Sequence, residues 1–171
     1  MAIDKIQSES INLADTFAFT GTVTGAGESN LPYFNVKPSS SDNYADNTVH
    51  RVAFGTVVKD TASGFDNSAG NYKYTVPSGQ AGQYVLNFGF RINPTNANRI
   101  GFNILVNDSS VSQLEADGGG GSTYTALQGS RLVTLAVGDV IHCTFYQNSS
   151  VNSTLRTDGT FLCGFKLTAT T

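Results

Sequence analysis

The chain has 171 residues, 39% of them hydrophobic and only 13% charged, with a formal net charge of −3. That length supports one domain with a sizeable core and disfavours two full domains. The ten basic residues are scattered without a Lys/Arg run, which argues against a nucleic-acid partner, and no stretch approaches the ~18 consecutive apolar residues of a membrane span.

Charge falls well short of the roughly one-quarter found in an average domain. Ser, Thr, Asn and Gly make up the difference, as in turn-rich β proteins whose wet faces carry hydroxyls and amides. Residues 1–30 differ in composition from the remainder of the chain. They mix polar residues with Ile3, Ile6, Ile11, Leu13, Phe17 and Phe19, then run into the Gly/Thr-rich TGTVTGAGESN. The spacing suits a short helix or an extended strand and sustains neither. Six large apolar residues are too many for a solvated tail, so this segment is expected to be an arm that docks on a partner or a neighbouring subunit. No apolar run comes after its lysine, so the start does not read as a secretory signal, and synthesis in a cytoplasm is expected.

Residues 31–171 form the expected head domain. Strands are predicted at Leu31–Val36, at Thr48–Val58 with a bend at Gly55, and over Tyr72, Tyr74 and Val76. A Pro-Gly turn leads into the alternating Tyr84, Leu86, Phe88 and Phe90, where a period of two builds one buried face and one wet face. Ile100, Phe102, Ile104 and Val106 alternate in the same way, and Val111–Ala116 comes next. The tract DGGGGS (117–122) is a flexible tip; it lacks the lysine and the helix of a phosphate loop. Thr123–Leu135 and Val140–Tyr146 flank the turn AVGD, and Thr160–Thr168 closes the chain. Eight to ten strands with no helix predict an all-β, antiparallel sandwich or jelly roll.

Several motifs line up in order. GQYVLNF (82–88), LVTLAVGDVIHCTFYQ (132–147), FLCGFKL (161–167) and the upstream FDN at Phe65 resemble the strands of complement-1q-like globular heads, relatives of the tumour-necrosis-factor jelly roll. YTVPSGQAGQY carries that family's wording with a two-residue insertion before Gly82. The resemblance spans about residues 31–168 and implies a homotrimer assembled through apolar and aromatic faces. With 11 Phe and 7 Tyr, the chain has rings to supply both a core and a trimer axis, and Tyr84, Phe88, Phe90, Phe145, Phe161 and Phe165 are the expected core or axis aromatics. The N-terminal wording ESINLADTFAFTGTVTGAG resembles the starts of bacteriophage virion appendage proteins. That likeness implies a virion location, with the arm plugged into other virion proteins and the head facing outward. The alternative is an extracellular cellular lectin or ligand.

Chemistry is sparse, and no enzymatic activity is expected. His142 and Cys143 are neighbours on one strand and so point to opposite faces, which excludes a Cys-His nucleophile. Glu115 and Asp117 are better read as a solvated loop tip than as a glycosidase pair. The scattered aspartates lack calcium-loop spacing, so no metal or cofactor is expected. Cys143 and Cys163 read as buried reduced thiols, with a disulfide or metal pair as the alternative. If host-surface glycans or proteins are bound, the contacts are expected on the polar loops, at Asn43, Tyr44, Asp108, Asp117, Asn148, Asn152 and Arg156.

Overall fold

The computed structural model describes residues 32–93, 99–117 and 124–169. The arm residues Ile3, Ile6, Ile11, Leu13, Phe17 and Phe19 lie outside the described residues. The strands are β1 (Tyr33–Lys37), β2 (Asp42–Tyr44), β3 (His50–Arg51), β4 (Thr56–Asp60), β5 (Phe65–Asp66), β6 (Lys73–Thr75) and β7 (Gly82–Ile92). They continue as β8 (Ile100–Val106), β9 (Ser109–Ala116), β10 (Thr125–Leu135), β11 (Val140–Gln147), β12 (Ser153–Leu155) and β13 (Phe161–Ala169). Every pairing among them is antiparallel.

The strands form two sheets. The seven-stranded sheet runs β2-β12-β7-β13-β1-β4, with β10 also on β7; the six-stranded sheet runs β5-β6-β11-β8-β9, with β3 also on β11. Long β7 is the spine of the first sheet, flanked along its length by β10 and β13. Its alternation works as the sequence implies: Tyr84, Leu86, Phe88, Phe90 and Ile92 all point inward and are fully buried. They meet Ile100, Phe102, Ile104, Ile141 and Phe145 of the opposing sheet. Rings set the spacing between the layers. Phe90 stacks on Phe102 at 5.5 Å and meets Phe145 edge-on at 6.2 Å, the offset and edge geometries that ring quadrupoles favour. The result is an all-β jelly roll.

The structure differs from the sequence reading at several points: thirteen strands form among the described residues where eight to ten are expected, and Tyr72, expected to open a strand, sits just before β6 with a φ of +40°. The expected strand Thr48–Val58 is two strands in different sheets, β3 pairing with β11 and β4 with β1. The chain crosses between layers at Val52–Gly55, where a side chain on Gly55 would meet the Ser39 hydroxyl at 2.5 Å. The polar segments around Asn43 and Ser153 are not free loops but a small ladder, β2 on β12. Hydroxyl and amide side chains there hide the strand pattern. The β8–β9 hairpin turns on Asn107 and Asp108, both with positive φ (49° and 62°), the geometry of a tight two-residue turn that Asn and Asp tolerate.

Candidate functional site: the outer faces and loop ends of the sandwich

The two outer faces differ in character. Residues opposite each other in an antiparallel ladder point to the same side, so the registers define rows across the seven-stranded sheet. Tyr33, Phe165, Val85 and Leu132 make one row over four strands. Asn35, Cys163, Asn87 and Ser130 make the next, a polar row. Phe161, Gly89 and Gln128 make a third. Leu132 is 54% exposed, and Phe161, Phe165, Tyr33 and Val85 are half-buried. The outer face of the six-stranded sheet is mostly polar, with Asn103, Gln113, Glu115, Thr144 and Arg51 in the corresponding positions.

The six aromatics named from sequence therefore divide. Tyr84, Phe88, Phe90 and Phe145 are fully buried between the sheets and cannot face a second copy. Phe161 and Phe165 face outward, because the inward positions of β13 fall on Leu162 and Gly164. Gly164 must be small: a Cβ there would sit 2.5 Å from the Phe34 ring and 2.8 Å from Leu86.

The loop residues divide as well. The ladders place Asn148, Asp117, Asn152 and Arg156 at one end of the sandwich, near Ile92, Ile100 and Gln147, and Asp108 at the other end beside Val140. Asn43, exposed on β2, accepts from the Thr154 hydroxyl at 2.5 Å. The Asn148 side chain accepts from the Arg99 amide at 2.7 Å. Tyr44 departs from expectation as a ligand contact. It is 6% exposed, packs edge-on against Phe145 at 5.4 Å, and its hydroxyl accepts from the Ala53 amide at 3.1 Å. Its ring is apolar area closing the core under β2 rather than a surface group. Gln147 went unremarked in the sequence. It is fully buried, with its amide nitrogen donating to the Val151 carbonyl at 2.9 Å and its oxygen accepting from the Ser149 amide at 2.7 Å. It fixes the 148–152 loop from below.

No catalytic constellation forms among the described residues. Glu115 takes hydrogen bonds from Arg99 and Gln113, all on one of its oxygens. Asp139 accepts from the Ala136 amide and from Asn107, both at 2.8 Å, holding the AVGD turn. Among the described residues no group of three or more His, Cys, Asp or Glu is placed to hold a metal ion. Cys143 and Cys163 are free thiols, one in the core and one on the outer face. Burial pushes both thiols up, far up for Cys143, so neither is a ready nucleophile.

His142 is 2% exposed on the outer side of the six-stranded sheet, its Nε2 3.4 Å from Arg51 and 3.6 Å from Asp108. Its Nδ1 is buried without a hydrogen-bond partner among the described residues. Burial, and then the Arg51 guanidinium, lower its pKa below 6.5; Asp108 opposes this and Lys73 adds to it. A group depressed in the folded state is harder to protonate folded than unfolded. Its contribution to stability is therefore complete above pH 6.5 and is lost as the pH falls below that value. Unfolding free energies measured between about pH 7.5 and 5 are expected to fall with a slope that His142→Gln reduces by up to ~1.4 kcal/mol per pH unit. An unchanged slope in the variant would place the acid sensitivity elsewhere.

No protein-family model and no curated protein matches the sequence. Solved structures do match in shape. The globular domain of a zebrafish complement 1qA protein superposes with a TM-score of 0.58 at 16% identity, covering 82% of this chain and 100% of that one. Murine APRIL at pH 5.0 gives 0.61 at 17% identity, covering 79% and 98%. The Eiger TNF of S. frugiperda gives 0.59 at 11% identity, covering 81% and 92%. At these identities the likeness is one of fold: the chain is built on the jelly roll shared by the complement-1q and tumour-necrosis-factor domains.

Proposed function

We infer that this chain is a non-enzymatic, self-associating head, a homotrimer that serves as a structural or adhesive component of a virion. The observation that carries self-association is the apolar row Tyr33–Phe165–Val85–Leu132 on an outer sheet face. Aromatic and aliphatic side chains left partly exposed over four strands are costly in water and are a usual mark of an interface. The virion placement is supported by the wording of residues 1–30, which would anchor the head to other virion proteins. Likeness in fold to complement 1qA and APRIL favours a second reading, an extracellular cellular binding protein.

Light scattering on the purified chain is expected to return three times its 18.1 kDa mass, and Phe165→Asp combined with Leu132→Asp to return single chains with little change in the far-ultraviolet spectrum. A stable single chain at micromolar concentration in the wild type would overturn self-association. Antibody labelling of parent particles under the electron microscope separates the two readings: label on a phage particle supports the first, and its absence there overturns it.

A further inference from the structure

One end of the outer face of the seven-stranded sheet holds a hollow of about 420 Å³ lined by Ala126, Gln128, Gly159 and Phe161, with the strand backbone at the inward-facing Phe90 and Leu127 beneath it. That lies within the ~300–1,000 Å³ usual for small-ligand sites. Glycines let neighbouring side chains pack closely beside it, and an alanine lines it. Gly89 lies between Phe161 and Gln128 in the ladder, and a Cβ there would sit 2.8 Å from the Phe161 ring and 3.0 Å from Gln128. Gly159, at φ +111°, brings its backbone against Arg91, so that a Cβ there would be 3.0 Å from the Arg91 Cβ. Ala126, directly opposite Arg91 in the ladder, offers only a methyl group.

The rim beside this apolar hollow is cationic and rigidly held. The Arg91 guanidinium lies 4.1 Å from the centre of the Tyr124 ring and that of Arg156 lies 5.6 Å from it. The two segments are locked together, the Arg156 amide donating to the Arg91 carbonyl at 2.7 Å and the Arg91 amide to the Thr160 hydroxyl at 3.1 Å. Asp158 pairs with both guanidiniums. Two positive charges against one carboxylate leave the rim with a net positive charge. Stacked guanidiniums offer planar donor pairs that suit a second carboxylate.

We propose that this hollow is a binding site for a small amphipathic carboxylate, its ring or short chain lying against Phe161 and Ala126 and its carboxylate held by Arg91 and Arg156. Apolar walls with a few convergent polar groups are the usual design of such sites. The site is built from one copy's residues, so it is tested separately from self-association. Calorimetric titration of the full chain with 4-phenylbutyrate is expected to give one site per chain. The uncharged 4-phenylbutanol should bind about tenfold more weakly, the loss of one charge-assisted interaction, and 4-phenylbutylamine should not bind. Ala126→Phe, which fills the hollow, should abolish binding, and Arg156→Gln should weaken the acid alone, with the melting temperature and the mass in solution recorded for each variant. Equal binding of acid and alcohol would overturn the proposal. So would no binding of the acid, and Ala126→Phe dissociating the assembly would then assign the hollow to a side chain of a second copy. A chain that binds the acid as a monomer would leave this site standing and remove the trimer instead.

Discussion

Phe90→Ala is expected to destabilise the chain by about 3–5 kcal/mol, a large share of the ~5–15 kcal/mol that holds a domain of this kind together. Phe90 is fully buried and joins the two layers through Phe102 and Phe145. Its loss removes apolar burial and two ring contacts and leaves a cavity the rigid sheets cannot close. Urea unfolding in dilute solution measures it directly. Phe165→Ala, on the outer face, is expected to cost about 1 kcal/mol in the separated chain, since its ring is only part-buried there. Equal losses for the two would mean that the assignment of faces is wrong.

Gly164→Ala is expected to cost about 1–3 kcal/mol, and Gly164→Val more. The backbone at Gly164 is not among those with positive φ, so the penalty is purely steric. The added carbon would lie 2.5 Å and 2.7 Å from two atoms of the Phe34 ring, and Phe34 is itself stacked on Tyr74 at 4.1 Å with 17° between the planes. A ring held on both sides has nowhere to go. Thermal unfolding of Gly164→Ala against Gly138→Ala separates packing from backbone strain, because Gly138 has open space around it but a φ of +87°. The double variant Gly164→Ala, Phe34→Leu is expected to recover part of the first loss, and no recovery would remove the Phe34 ring as the cause.

The β13 strand explains why a sequence reading that placed the strands well left Phe161 and Phe165 open between core and outer face. TFLCGFKL presents apolar residues at Phe161, Cys163 and Phe165, and small or polar ones at Gly164 and Lys166. A rule that large means buried sends the phenylalanines inward. The structure sends them outward, because the space under Gly164 is occupied by a ring from β1, the strand at the far end of the domain's sequence. Tyr44 departs from the sequence reading outright. Its polar neighbours, Asp42, Asn43 and Asp46 among them, made it look like a loop residue, while its pairing with Ser153 turns its ring toward Phe145. Gln147 carried no signal at all, being one more residue at the end of an apolar strand.

By itself the sequence determined the class of fold and the places where most strands run. Alternation with a period of two is a local property of the backbone, and turn chemistry such as AVGD is local too. It also determined that His142 and Cys143 do not act together, since neighbours on a strand diverge. The tertiary structure decided which of two apolar faces is the core. It also gathered Arg91, Tyr124, Arg156 and Asp158 around a hollow that three separate stretches of chain create. Those outcomes depend on which strands pair and in what register, and long-range pairing is set by the summed packing of both sheets rather than by any window of residues.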